Sequence, residues 1–263
     1  MQIIKLGGSL ITDKRRYRKF RRQIVERIAQ EVKEAWEAGK RVIVVHGAGS
    51  FGHIKAREYQ LQAGRSQKIK KQSLGFTKVH CDVRWLNLRI MEAFYKAGLP
   101  AVSLPPISIA RNSYGKLKEM DVERFRDALG ESLLPITFGD VVFDEKLGFS
   151  ICSGDDLVLR LATHFRPERI IFLCDVPGIY AAYPPKKNEE ILREISPEYI
   201  TTLKTASPGI DVTGGIFGKI QKCFEFLSGE RESEIWIISG RNIENFRNAL
   251  IGKDIQGTKV VIK

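Results

Sequence analysis

A chain of 263 residues with 43% hydrophobic composition can bury a full core, either as one large domain or as two lobes. It has no run of about 18 apolar residues, and its start, MQIIKLGGS, lacks the charged and then long apolar pattern of a signal peptide, so a cytoplasmic protein without a membrane span is expected. The net charge of +12 favours anionic partners, but polyanions, acidic membrane faces and phosphorylated metabolites all share that sign.

In chain order, QIIKL predicts a strand ending at Gly7-Gly8-Ser9. The run KRRYRKFRR that follows, residues 14–22, holds seven cations and two aromatics in nine positions. It reads either as the solvated start of a helix or as an anion-binding segment, and no helix-turn-helix, zinc-finger or RNP-type pattern accompanies it. Ile24, Ile28, Val32 and Trp36 then recur at helical spacing up to Gly39, and RVIVVH predicts a second buried strand. Behind that strand stands HGAGSFGH, a glycine-rich turn into a short helix. Residues 60–72 are polar and lysine-rich and read as a mobile loop, and an amphipathic helix is expected over residues 76–96. PAVSLPP gives a third strand ended by prolines.

The middle segment, LPITFGDVVFDEKLGFSIC, predicts a strand and then a hairpin turning at EKLG, the one clear antiparallel signal. Parallel rhythm resumes with a helix over 156–165, the strand RIIFLCD, an irregular loop, a helix over 215–227 and the strand EIWIISG. Alternating strands and helices imply an α/β fold: an open, mostly parallel central sheet with helices on both faces. If two lobes exist they share that sheet, with the hairpin near 140–150 as the seam. The four cysteines, Cys81, Cys152, Cys174 and Cys223, form no CxxC pair and read as reduced, largely buried thiols, so neither a disulfide nor zinc is expected.

Ligands of open parallel sheets sit beyond the carboxyl ends of the strands. Those ends carry Lys5 with Gly7-Gly8-Ser9, the HGAGSFGH loop with His53, Ser153-Gly154-Asp155-Asp156, Asp175 with the loop to Tyr180, and Thr213-Gly214-Gly215 with Lys219. Glycine turns that precede helices point backbone N–H groups at anions. No GxxxxGK[ST] occurs, and GAGSFG formally spells GxGxxG but has no acidic residue between Glu58 and Asp82 to hold a ribose.

KLGGS, ITDK, HGAGSFGH, GFTKVH, AGLPAVSLPP, SGDD, CDVPGIY and DVTGGIFGK together resemble the amino acid kinase family, over essentially the whole chain. The resemblance implies an αβα sandwich as a single domain over 1–263, with an acceptor-binding lobe over about 1–145 and a nucleotide-binding lobe over about 146–263. It implies ATP-dependent phosphoryl transfer, with Mg²⁺ as a companion of the nucleotide and a homodimer formed through the N-terminal half. Lys5, Lys14 and Lys219 match the family's charge-neutralising lysines, and Asp155 the acid that holds lysines in place. Lys5, Gly7, Gly8, Ser9, Gly49, Asp175, Val176, Tyr180, Gly215 and Lys219 fall where the family binds ATP. Ala48, Gly52, His53 and Gly154 fall where it binds the acceptor. His53 is the narrower mark: it matches a histidine that takes an acceptor phosphate, and the acceptor implied is isopentenyl phosphate.

Two alternatives stay open: a kinase of another small phosphate or phosphonate such as fosfomycin, and a basic nucleic-acid-binding protein on a kinase-like fold. Ala48 replaces the middle glycine of three, which a negative φ would tolerate. No compact carboxylate cage for a metal is evident, which suits magnesium held by phosphate and water. His46 reads as structural, and His80 and His164 have no assigned chemistry. Phe76, Phe94 and Trp85 read first as packing residues. Phe76, Val79, Val83 and Leu86 form an apolar stripe that either walls a short pocket for the acceptor's tail or packs on the sheet.

Overall fold

The structure, a computed structural model, describes residues 1–181, 189–206, 215–229 and 232–262. The chain opens with β1 (Gln2–Leu6), α1 (Gly8–Ile11), α2 (Arg22–Glu37), β2 (Val42–His46) and α3 (Gly49–Glu58). A 3₁₀ turn at Leu61–Ala63 leads to α4 (Gln72–Lys96), β3 (Ala101–Ser103), α5 (Pro106–Ile109), β4 (Ala110–Ser113), β5 (Lys116–Met120) and α6 (Glu123–Gly130). Next come β6 (Leu134–Phe138), β7 (Asp140–Asp144), β8 (Gly148–Cys152), α7 (Gly154–Phe165) and β9 (Arg169–Cys174). The chain finishes with β10 (Glu194–Ile195), α8 (Pro197–Ala206), α9 (Gly215–Leu227), β11 (Glu234–Ser239), α10 (Ile243–Ile251) and β12 (Thr258–Val260).

Eight strands form the central sheet in the order β10-β12-β11-β9-β1-β2-β6-β3. Every pairing is parallel except β11 with β12. β1 lies in the middle, paired with β2 on one side and β9 on the other. All three are buried and largely apolar because both faces of the sheet are covered. Ile4, Leu6, Val42 and Val44 face a core that includes Val25, Ile28 and Val32 of α2, Val83 and Leu86 of α4, and Phe246 of α10. Ile3, Ile43, Val45 and Phe172 face the other, with Leu157 and Leu161 of α7 and Ile220 and Phe224 of α9. Both halves of the chain thus contribute to one sheet, and no helix among the described residues is long and apolar enough to cross a membrane.

The sequence reading is incomplete in three places. The hairpin β7–β8 leaves the central sheet and joins β4 and β5 in a separate four-stranded sheet ordered β5-β4-β7-β8. The β4–β5 hairpin and α6 have no counterpart in the sequence reading. Their turn, Tyr114-Gly115, has φ of +51° and +73°, the positive pair of a type I′ hairpin turn, and only its glycine advertises this. Residues 60–72 are also more than a loop. Buried Gln72 donates from Nε2 to the Gly64 carbonyl (2.9 Å) and accepts from the Ser66 N–H (2.8 Å), and Arg65 N–H bonds Leu147 O at 2.8 Å. These bonds start α4 at Gln72 rather than at Phe76. Of the four unpaired cysteines three are buried, but Cys81 is exposed on α4.

Asp144 secures the smaller sheet. Its buried carboxylate accepts from Tyr114 N–H (3.1 Å), Gly115 N–H (2.8 Å), Lys146 and Leu147 N–H (2.9 Å each) and Ser150 Oγ (2.8 Å), so one side chain closes two turns. Burial opposes its charge, yet these donors hold the pKa near 2. A depressed carboxyl pKa gives stability that is present above the unfolded value near 3.9 and lost as pH falls towards 2. Asp144→Ala is expected to lose about 3 kcal/mol in urea unfolding at pH 7, because it strands buried donors. The difference from the unsubstituted chain should shrink as pH falls below about 4, and a difference independent of pH would refute the charge-based account.

Candidate active site

Parallel pairing brings the carboxyl ends of β9, β1, β2 and β6 to one edge of the sheet. Lys5 sits one residue from the end of β1, in register with Val45 and Phe172, and is 7% exposed. A lysine buried in an apolar strand is costly unless it is paired. Asp155, in the first turn of α7, supplies the pair: one of its oxygens, Oδ1, takes Lys5 Nζ in a short contact and Lys219 Nζ of α9 at 3.2 Å. Both ammonium groups also stand over the Phe172 ring, at 5.9 Å and 4.9 Å from its centroid. The three predicted residues therefore meet as one cluster with net charge of one positive unit.

The two ammonium groups around this carboxylate are not equivalent. Burial and the Lys219 charge lower Lys5 to a pKa of about 8 against the pull of Asp155. For Lys219 burial again acts downward, but the Asp155 carboxylate outweighs it and the pKa is raised. Asp155 is desolvated, and the two lysines still keep its carboxyl below the usual carboxylate range. Ser153 caps α7 by accepting from Asp155 N–H at 3.1 Å, which fixes the acid at a positive helix end. Lys222 to Asp156, at 2.5 Å, ties α9 to α7 one turn further on.

The glycine turns answer to packing first. A Cβ on Gly8 would stand 2.6 Å from Gly49 N, and one on Gly47 2.8 Å from Gly8 N, so the turns after β1 and β2 abut backbone to backbone. Gly49 has φ of +51°, and Thr12 Oγ1 bridges the two turns by donating to Gly8 O (2.7 Å) and accepting from Ser50 N–H (2.9 Å). Ala48 has φ of −72°, so its methyl is accommodated as expected. Gly52 lets α3 lie against α4: a Cβ there would meet Ala48 Cβ at 2.5 Å and Val83 Cγ2 at 3.3 Å. Gly154 backs onto Lys5, with 3.5 Å from the place of a Cβ to Lys5 Cε.

His53 lies one turn into α3. Its ring reaches solvent, yet surrounding atoms desolvate it, and Lys5, Lys14 and Arg57 add positive field, so its pKa is lowered. Lys14 and Lys5 thus both contribute to the positive field at this ring. Lys14 makes no ion pair among the described residues, whereas Asp175 at the end of β9 is held by Arg241 (2.6 Å) and Arg21 (3.3 Å). Tyr180 pairs with Ile191 in an isolated bridge. Ser9 lies in α1, and Gly215 opens α9; Thr213 and Gly214 fall outside the described residues. His46 is structural: buried, with a pKa near 4 because it is desolvated, it stacks on Phe138 and its Nε2 takes Asn87 Nδ2 at 3.2 Å.

Sequence reasoning passed over Thr12, Arg21, Arg241 and the pair of half-buried His80 Nδ1 with buried Asp140 Oδ2, at 2.8 Å. Arg21 donates to Ser9 O at 3.0 Å as well as to Asp175, so it joins the first turn to the end of β9. A lone threonine or arginine carries no periodic signal, although the strand ends they serve were legible.

The sequence profile of the amino acid kinase family matches residues 1–239. The chain belongs to the amino acid kinase family. It is 34% identical over 270 residues to an isopentenyl phosphate kinase of Methanothermobacter thermautotrophicus, across 100% of both chains. It is 34% identical over 256 residues to one of Thermoplasma acidophilum, across 97% of each. A solved isopentenyl phosphate kinase superposes with a TM-score of 0.85 at 32% identity, covering 99% of this chain and 100% of that one.

For a kinase, the Lys5 ammonium matters most when anions arrive. With the Lys5 pKa lowered to about 8 by burial and the Lys219 charge, kcat/KM for ATP should decline as pH rises through about 8, while kcat, measured with phosphates bound, stays level to higher pH. A pH–rate series over a range where circular dichroism is constant checks this. A level kcat/KM up to about pH 9.5 would contradict it.

Proposed function

We propose that this chain transfers the γ-phosphoryl group of ATP to isopentenyl phosphate, giving ADP and isopentenyl diphosphate. The observation that carries the reading is His53: it stands one turn beyond the glycine turn, in the field of Lys5 and Lys14, next to the place where Val83 packs on Gly52. In the transfer an oxygen of the acceptor phosphate attacks the γ-phosphorus and the bond to the ADP oxygen breaks. That oxygen is already anionic, so no base has to remove a proton. The obstacle is repulsion between two anions, and catalysis is positioning and charge stabilisation.

Lys5 and Lys219 neutralise nucleotide and transferring phosphoryl charge, and Asp155 keeps the two lysines in place. Lys14 adds positive charge near His53, which binds the acceptor phosphate through its ring N–H. Gly7, Gly8, Ser9, Gly49 and Gly215 belong to the nucleotide side with Asp175 and Tyr180; Ala48, Gly52 and Gly154 belong to the acceptor side. Magnesium comes as MgATP: no three His, Cys, Asp or Glu gather to form a cage among the described residues, and Asp155 is committed to lysines. The first half of the chain, about 1–145, serves the acceptor and the second, about 146–263, the nucleotide. A homodimer through α4 belongs to the same reading, supported by exposed Leu74, Leu88 and Tyr95, which keep multiples of seven residues along one stripe.

Against the nucleic-acid alternative, Arg18, Arg21 and Arg22 of the basic run pair with Asp82, Asp175, Glu26 and Glu92 rather than forming an open stripe. With labelled ATP, isopentenyl phosphate should be phosphorylated in preference to fosfomycin and UMP. His53→Ala should raise its KM by about 10- to 100-fold, the worth of one charge-assisted hydrogen bond. Preference for fosfomycin or UMP, or unchanged kinetics in the variant, would overturn the reading.

Val79, Val83 and Leu86 are all buried in one core with Val44 and Ile136, and Val79 and Val83 in addition face α3 at Gly52, the residue before His53. Val83→Ala should therefore admit a longer acceptor such as geranyl phosphate for about 2 kcal/mol of stability or less. Leu86→Ala should cost about 2–5 kcal/mol with an unchanged acceptor range. Product chromatography and thermal melts of both variants decide whether Val83 is a wall of the tail pocket.

A further inference from the structure

Seven cations in residues 14–22 exceed what phosphoryl transfer requires, and they repel one another and the lysine pair of the crevice. The segment is nonetheless closed and ordered. Thr12 and Phe20 form an antiparallel bridge, Asp13 N–H bonds Lys19 O at 2.9 Å, and Arg21 N–H bonds Ile11 O at 2.9 Å. Within the loop, Asp13 Oδ1 accepts from Arg15 N–H at 2.9 Å. Its far end rests on α4, where Tyr17 OH donates to Asp82 Oδ2 in a short contact and Arg18 Nε stands 3.5 Å from Asp82 Oδ1. The Arg18 guanidinium also covers the Trp85 ring, 4.8 Å from its centroid, and lies 6.0 Å from that of Phe51.

Two features mark this contact as more than surface charge. The Asp82 side chain is 3% exposed, and two of its three cationic or hydroxyl partners come from the loop; the third is Lys78 at 3.3 Å. Arg18 has φ of +56°, a left-handed backbone that a non-glycine residue keeps only where its surroundings compensate. Lys14 begins the same loop, has no ion pair among the described residues, and its charge reaches His53.

We infer that Asp82 is a positioning residue for the transfer: through Tyr17 and Arg18 it holds the loop of residues 13–20 on α4 and so fixes the position of Lys14 at the start of that loop. The inference rests on Lys14 acting in the reaction as proposed above. A buried anion suits this task, because a loop of like charges beside a cationic crevice is otherwise driven outward.

The test is a kinetic cycle of Lys14→Ala, Asp82→Asn and the double variant, with melting temperature and trypsin digestion measured alongside. Asp82→Asn is expected to lower kcat by about 10- to 100-fold, the cost of a misplaced charge, with KM for ATP changed by less than about twofold. It should add nothing in the Lys14→Ala background, since both changes remove one effect. Trypsin should cut between Arg15 and Arg22 faster in Asp82→Asn. Tyr17→Phe with Arg18→Gln, which leaves α4 untouched, should reproduce the fall in kcat and carries the test if Asp82→Asn does not fold. Losses that multiply in the double variant, or unchanged kcat in the Tyr17/Arg18 variant, overturn the inference alone. A Lys14→Ala enzyme at full rate overturns the assignment of Lys14 and this inference with it.

Discussion

One carboxylate shared by two buried lysines is the constraint on which the rest depends. Without Asp155, Lys5 and Lys219 would be two desolvated ammonium groups facing each other, and at least one would shed its proton rather than remain charged. With it, the cluster keeps both ammonium groups and a net positive unit in a place that water reaches poorly. The sheet exists in the order that makes this possible: β1 in the centre carries Lys5, α7 brings Asp155 on its first turn, and α9 brings Lys219 from the opposite end of the chain. Phe172 on β9 floors the pair. A charge held this way needs no reorganisation when an anionic transition state forms, which is where electrostatic catalysis gains most.

The backbone around the cluster follows from the same demand for closeness. The turns after β1 and β2 touch through Gly8, Gly47 and Gly49, with no room for a Cβ between them. That contact puts Lys5 and the start of α3 on one edge, so that His53 and the lysines share a field across elements that are far apart in sequence. Glycine here serves the approach of two protein segments as much as any approach to a ligand. An anion that enters then meets backbone and side-chain donors already fixed by packing.

The strands and helices of the central layer were legible because both-face burial writes long apolar runs and helical stripes, as in QIIKL, VIVVH and the α2 residues Val25, Ile28 and Val32. The meeting of Lys5, Asp155 and Lys219 was legible as well, since Lys5 and Asp155 close or follow a strand and Lys219 follows a glycine turn at the start of a helix. What stayed hidden depends on partners that are remote in sequence. The β4–β5 hairpin alternates weakly and takes its turn from Tyr114, a residue whose left-handed backbone is stabilised by Asp144, 30 positions away. Gln72 starts α4 by bonding to a 3₁₀ segment that no periodicity announces. The basic run read as solvated or ligand-binding, and neither reading could include Asp82, a single acid within a helix whose burial only the packed structure reveals.

In the proposed reaction the same electrostatics governs which acceptor is taken. Desolvation and then the positive field of Lys5, Lys14 and Arg57 lower the pKa of His53 and so favour the neutral imidazole, which has one N–H to donate. A phosphate entering beside it would offset the positive field of Lys5, Lys14 and Arg57 with two negative charges, and the imidazole would gain affinity for a proton. A carboxylate brings only one charge and two oxygens, so it would satisfy fewer of these donors and offset the field less. On that proposal, discrimination between the two anions would rest on a titratable ring that burial and the surrounding cations hold towards its neutral form until a doubly charged group arrives.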